Sequence, residues 1–497
     1  MRHRLVIVIA SFFSLLAIGC GGGKLQGVNP TPTPITGPFS NASLSGPYAF
    51  VFSGTGASGF FAVAGSFQAN GNGNLVSGTM DINNSSGVST NVPFTGTYSV
   101  VPNGQGNATL TSAVQTFNIH FVIISSNRAL MTRFDNNSVG HGAIDLQNPA
   151  AFSAAGIQSQ FSYQLTGIDA AANPLATVGG FTTDGAGTVP AGLHDVSDNG
   201  TPTINQPLTG TYTVAGSANG RGTLALNTSL GTLHFAFYIV ATNRLKLVET
   251  ERTPALAGEA LGGFNATTSV AGCGPCVFAW NGFSGATPFA AAGIYFIDDN
   301  NGIPRGTADI NLGGSVSTSA LSGAYSFAPQ FRGTASFNSV AGTPATFAVY
   351  AISGGGWLTL QIDPGKVVTG LAFTQPLAGT PHLDLSFDGS YGFNFVGATF
   401  NAQADEVGQI TTHDTNSNGA GAVTGAVDIN NAGVPIPGLS VSGSFTMDKT
   451  AFGTITMQTS NGTQHFRLHA TGGFGPVFFV SADSNLVAAG IFERQGQ

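Results

Sequence analysis

The sequence predicts an all-β protein made of tandem antiparallel meander domains, and three observations predict it. Four sets of sequence anchors recur in one order, apolar residues alternate with a period of two, and Asn-Gly, Asp-Gly and Gly-Gly steps punctuate the alternating runs. No segment sustains the i, i+3, i+4 spacing of an amphipathic helix. The 497 residues include 71 Gly and 38 Phe; 42% are hydrophobic and only 8% are charged. That is too apolar for a disordered charged chain, and the glycines lack the three-residue period of collagen. Lys and Arg total 15 against 23 Asp and Glu, a net charge of −8, so no cationic face suited to a nucleic-acid backbone is expected.

The chain starts with basic Met1–Arg4 and the apolar run Leu5–Ile18, too short to span a bilayer comfortably. Ala17-Ile18-Gly19-Cys20 follows, and then Gly21-Gly22-Gly23. This resembles a bacterial lipoprotein signal, although Ala17 stands where that signal most often has Leu. The resemblance implies removal of residues 1–19, lipidation of Cys20 and anchorage to the cell envelope. The resemblance also carries a sorting rule of some bacteria, under which Gly21 is compatible with outer-membrane delivery. Residues 20–42 then form a Gly/Pro/Thr tether, whose prolines favour extended backbone.

Four repeats follow, at about 43–155, 156–270, 271–384 and 385–497. Their opening strands end in Gly54, Gly167, Gly282 and Gly397, spaced by 113, 115 and 115 residues. A second anchor reads GTMDINN, GLHDVSD, GTADIN and GAVDINN and carries Asp81, Asp195, Asp309 and Asp428. A third is FTGTYSV, LTGTYTV, LSGAYSF and VSGSFTM, followed by the strands GNATLTS, RGTLALN, RGTASFN and FGTITMQ. In the first strand Tyr48, Phe50 and Phe52 face one side, and Ala49, Val51 and Ser53 the other. About 115 residues suffice for a separate core, and a sheet with one aromatic face must close on itself or fold over. Short sequential connections favour small closed barrels, with β-sandwiches as the alternative. A transmembrane barrel is a poorer fit to these short, Gly-rich strands.

Candidate chemistry is sparse. Cys273-Gly-Pro-Cys276 resembles a thioredoxin redox motif, but a strand follows it instead of a helix, so a local disulfide is the expected use, with two unpaired thiols as the alternative. Asp414, Asn416 and Asn418 imitate the first half of a calcium loop, and Asp298 and Asp299 form a second oxygen-rich turn. The twelfth position of the first loop would be Gly425, which offers no side-chain oxygen. Asx side chains capping their own turns are the plainer reading, with weak Ca²⁺ binding as the alternative. The four recurring aspartates lack a recurring second carboxylate, so they are expected to accept backbone N–H groups at a hairpin. Asn127-Arg128 and Asn243-Arg244 share a position, but the third repeat has glycines there. The sequence contains no HExxH, GxSxG or P-loop motif; triads being spatial, an enzyme is neither indicated nor excluded.

The Cys-Gly-Gly-Gly start and the repeated GxYxFxxxG, GTxDxN and LTGTYxV blocks resemble large exported lipoproteins of acidobacterial soil bacteria. The resemblance spans residues 43–497, more closely in the first two repeats, and implies envelope location without an activity. The expected role is a non-enzymatic surface adhesion or scaffold module that contacts polysaccharide or an envelope protein. Carriage of small apolar ligands inside the barrels is the alternative, and action on a polymer as an enzyme the third.

Overall fold

The computed structural model describes residues 38–496, apart from 215, 217, 264–274, 299, 328–331, 375–386, 400–401, 417 and 472–474. The leader, Cys20 and nearly all of the tether lie outside the described residues. The rest forms four closed barrels, each of eight antiparallel strands in sequence order with the first strand hydrogen-bonded to the eighth. The first runs from strand Ser45–Gly56 to strand Ser138–Leu146, and the second from Gln160–Ile168 to Ala255–Gly262. The third runs from Cys276–Ser284 to Lys366–Thr374, and the fourth from Gly389–Ala398 to Val487–Arg494. Barrels, not sandwiches, result because every strand pairs with its neighbours in sequence.

Alternation builds the walls. Tyr48, Phe50 and Phe52 point inward, and across the first barrel Phe50 meets Phe94 at 6.1 Å and Phe52 meets Phe117 at 5.4 Å. In the third barrel Trp280 stacks on Phe347 at 4.2 Å, and in the fourth Phe395 meets Phe466 at 5.8 Å. Leucines fill much of the second, among them Leu165, Leu224, Leu226 and Leu247 around Phe161 and Phe235. Each interior is thus a packed core made of its own side chains.

The third anchor has a steric explanation. A Cβ on Gly96, Gly210, Gly323 or Gly443 would stand about 2 Å from a facing-strand carbonyl oxygen, at 2.1, 2.1, 1.8 and 1.9 Å respectively. Only glycine fits at this place in any copy. Two residues on, the ring closes one end of the barrel. Tyr98 donates its hydroxyl to the carbonyls of Asn41 and Leu44, Tyr212 to Ala154 and Tyr325 to Asp298. Phe445 fills the same position without a hydroxyl.

The outer face of the first two strands carries small residues, and these are buried too. Ala49, Val51, Ala62 and Ala64 of the first barrel pack on Ala236, Tyr238, Val240, Val248 and Ala257 of the second. Ala176 and Val178 of the second pack on Ala348, Tyr350 and Leu360 of the third. Val277, Ala290 and Ala292 of the third pack with Phe478, Val480 and Ala489 of the fourth. Val407 of the fourth returns to Val122, Ile124, Leu130 and Ala143 of the first. Each contact joins the front of one barrel to the back of the next, and a head-to-tail contact that closes on the first copy makes a ring. The tandem repeats are therefore one closed assembly of four barrels.

Candidate functional site

The recurring aspartates sit at the four seams of this ring. In the second anchor Met80 and Ile82 point into the core, so Asp81 and Asn83 point outward toward the next barrel. Asp81 Oδ1 accepts the backbone N–H of Asn91 at 2.9 Å across a bulge, the kind of bond expected from sequence. Its other partners were not legible from the repeats. Arg221 of the second barrel donates Nη2 to Oδ1 at 2.6 Å and Nε to Oδ2 at 2.9 Å, and the Tyr238 hydroxyl also donates to Oδ2.

The second seam repeats this chemistry. Asp195 accepts Asn205 N–H at 2.9 Å, Nε and Nη2 of Arg332 at 2.8 and 2.9 Å, and the Tyr350 hydroxyl at 2.6 Å. At the third seam Asp309 accepts Arg467 and the hydroxyl of Thr318, and His469 Nε2 stands 3.0 Å from its Oδ2. Burial works against ionisation of Asp309, but His469, Thr318 and Arg467 outweigh it and hold the carboxyl below its usual range. At the fourth seam Asp428 accepts Gly438 N–H at 2.7 Å and meets His120 Nδ1 at 3.0 Å.

The asparagine of the same motif forms a second link. Asn83 Nδ2 donates to the carbonyls of Glu249 and Glu251, at 3.0 and 2.6 Å. Asn311 donates to the carbonyls of Ser481, Asp483 and Leu486, and Asn430 to those of Arg133 and Ser138. In the second repeat Ser197 takes this place and donates to the carbonyl of Lys366. The GTxDxN block is thus the device that joins each barrel to the next.

Where the first, second and fourth barrels meet, three bases and three acids form a buried network. Asp145 takes Arg128 and Arg244 at 3.0 Å each and Lys246 at 2.7 Å. Glu259 takes Arg244 and Lys246 at 2.7 Å, and Glu493 takes Arg128 at 2.9 Å. Burial opposes charge here, but Arg244, Lys246 and Arg128 hold Asp145 well below the carboxylate range, and Arg244 and Lys246 bring Glu259 down to about 2. This equal count of opposite charges, fully engaged, has the form of an architectural centre. Arg128 and Arg244, set aside in sequence because the third repeat lacks them, belong to it.

The sequence-predicted site residues fall in separate places. Asp298 Oδ1 accepts the N–H groups of Asn300 and Gly302 at 2.9 and 2.7 Å, while Asp299 lies outside the described residues. Asp414 accepts N–H from Asn416 and Asn418 on Oδ1 and from Gly419 on Oδ2, at 3.1, 3.2 and 2.7 Å. Asn418 Oδ1 in turn accepts the N–H of Ala420 at 3.1 Å. Among the described residues no group of three or more His, Cys, Asp or Glu is placed to hold a metal ion. Cys276 is wholly buried in the third core, in the place Tyr48 takes in the first, and its partner in the motif, Cys273, lies outside the described residues.

The fourth and fifth strands of every barrel turn a hydroxyl-rich face outward. Ser99 bonds Asn107 at 3.2 Å, Thr213 bonds Thr223 at 2.7 Å, and Ser326–Thr334 and Thr446–Thr454 pair at 2.9 Å each. With rings inside and hydroxyls outside, this polarity is opposite to that of a transmembrane barrel. Among the described residues Phe283 is the one aromatic in the set of exposed large apolar side chains.

No protein-family model matches the chain, and no curated protein matches it. Among solved structures it is similar to the isotype 1 transferrin binding protein B of serogroup B Neisseria meningitidis, at 10% identity and a TM-score of 0.22, covering 73% of this chain and 83% of that one. It is also similar to intact Ap-TbpB with its N and C lobes, at 10% identity and a TM-score of 0.19, covering 94% and 97%. The Haemophilus parasuis Hp5 transferrin binding protein B gives 10% identity and a TM-score of 0.19 over 94% and 98%. Likenesses this distant carry no argument about function.

Proposed function

We propose that the protein is a non-enzymatic lipoprotein of the cell envelope, acylated at Cys20, that presents a rigid four-barrel block as an adhesion or scaffold module. The observation that supports this most is the ring itself. Four filled barrels, joined head to tail by packed faces and by polar contacts to the recurring aspartates, make a body suited to display and spacing. The carrier alternative would need a cargo to displace the rings that already meet across the interiors. Contact with a neutral polysaccharide through the outward hydroxyl faces is the finer part of the reading, with an envelope protein as the other partner class.

Two measurements on the full chain test it. Labelled palmitate should enter the wild type and not Cys20→Ala, and the variant should leave the membrane fraction; labelling that persists without Cys20 overturns the anchor. Retention on insoluble polysaccharides, with calcium and after chelation, tests the contact. Loss on chelation would show that the contact needs Ca²⁺ and make the turns at Asp298–Asp299 and Asp414–Asn418 the first places to substitute. Failure of a folded sample on every polymer would leave the scaffold role with a protein partner.

A further inference from the structure

A groove of about 670 Å³ opens at the third seam, lined among others by Asp309, Asp448, Lys449, Phe452, Thr454 and Arg467. Its origin lies in one register position. Arg221 and Arg332 begin the fifth strand of their barrels, opposite Tyr238 and Tyr350, and reach back to the aspartate of the preceding barrel. In the fourth barrel the same position, opposite His469, is Phe452. The guanidinium comes instead from Arg467, two residues earlier on the sixth strand, at the register of Ala236 and Ala348. The shift leaves a half-buried ring beside the seam where the second and third barrels place an arginine.

We propose that this groove is a subsite for a neutral saccharide. The proposal rests on the polysaccharide-contact reading above and names its place. The lining charges balance, with Asp309 and Asp448 against Lys449 and Arg467, which favours a neutral ligand over an anion or a cation. Carboxylate, guanidinium and ammonium groups supply the acceptors and donors that adjacent sugar hydroxyls require, and the Phe452 ring supplies an apolar surface. The wall is held in place before any ligand arrives. Asp448 Oδ1 accepts the N–H groups of Thr450 and Phe452 at 2.7 and 3.1 Å, and Phe452 packs edge-on against His469 at 4.9 Å. Thr446 and Thr454, paired at 2.9 Å, line the groove and belong to the outward hydroxyl face, so a polymer chain can run from one onto the other.

The test uses the full chain in detergent, titrated calorimetrically with cellohexaose, xylohexaose and mannohexaose, alongside retention on the matching insoluble polymers. At least one hexasaccharide should bind saturably. Phe452→Arg restores the residue of the first two seams, so it should keep the fold and weaken binding at least tenfold. Lys449→Ala, at an exposed position, should weaken binding several-fold, while Thr97→Ala on the first barrel should leave it unchanged. Wild-type binding in both groove variants would overturn the groove and leave polysaccharide contact standing. Retention on a polymer that Phe452→Arg does not reduce would do the same. A wild type that binds no hexasaccharide and stays on no polymer would overturn both.

Discussion

Between the first and second barrels, Asp81 receives a two-point guanidinium contact and a tyrosine hydroxyl; between the fourth and first, Asp428 at the same register receives one imidazole nitrogen. One side of each seam is constant, an aspartate and usually an asparagine projecting from the third strand. The facing side varies, and the first barrel has Gln105 and Val122 where the second has Arg221 and Tyr238. The closing seam gains elsewhere. Arg128 pairs with Glu493, and Gln495 donates to the carbonyls of Asn103 and Ile123, as Gln147 does to Asn219 and Ile239 at the first seam. Backbone geometry and capped carbonyls therefore define the seam, and the ion pair on the aspartate is the replaceable part.

The largest expected effect is at the first seam. Asp81→Ala strands Arg221 and the Tyr238 hydroxyl in a buried site and should cost about 3–5 kcal/mol in denaturant unfolding. Asp428→Ala removes one imidazole contact and the acceptor of one backbone N–H, and should cost about 1–2 kcal/mol. Equal losses at the two seams would show that the ion pairs are not what distinguishes them. Asn83→Ala exposes two carbonyls at the first seam and should cost about 1–2 kcal/mol, against less than about 1 kcal/mol for Ser197→Ala, which frees only one.

Acidity sharpens the comparison further. Burial pushes Glu249, beside the first seam, and Glu406, in the fourth barrel, up to about 8. Both are protonated in the fold at neutral pH, whereas the unfolded chain ionises them near 4.5. Their contribution is fully present below that value and is lost as pH rises through about 8. Glu249→Gln and Glu406→Gln should each flatten this fall, raising stability near pH 8 by about 1–2 kcal/mol relative to pH 5. His194, brought down to about 4 by burial, acts in the other direction and loses stability as pH falls from 6.5 toward 4. The smallest effect is His120→Arg, which gives the closing seam the guanidinium that Arg467 supplies to the third. A gain of about 0.5–1 kcal/mol is expected, and a loss would show that the stacking of His120 on Phe134, at 3.8 Å, matters more.

Much of the fold was legible. Period-two alternation separated Tyr48, Phe50 and Phe52 from Ala49 and Val51, and ordered anchors at constant spacing gave four copies of one closed meander. The ring was not legible, because small residues on an outer face read the same whether they meet solvent or another sheet. Asp81 and Arg221 stand 140 residues apart, so no local spacing links them. A signal did exist. In a chain with 8% charged residues, one acid recurs in all four repeats and one base opens RGTLALN and RGTASFN. Arg128 and Arg244 were hidden because they do not recur in every copy; their network is asymmetric and draws on three barrels. The groove at Phe452 was hidden for the same reason, since it arises where the fourth copy departs from the second and third.

Solution X-ray scattering of a chain spanning Pro38 to Gln497 addresses the ring most directly. A closed, compact body of this length should give a radius of gyration of about 23 Å. Four barrels strung in a line would give roughly 30 Å or more, since each contributes about 13 Å by itself before their separation is added. A value near the first with a globular profile supports closure through Asp428 and His120; an elongated profile at the second would contradict the ring.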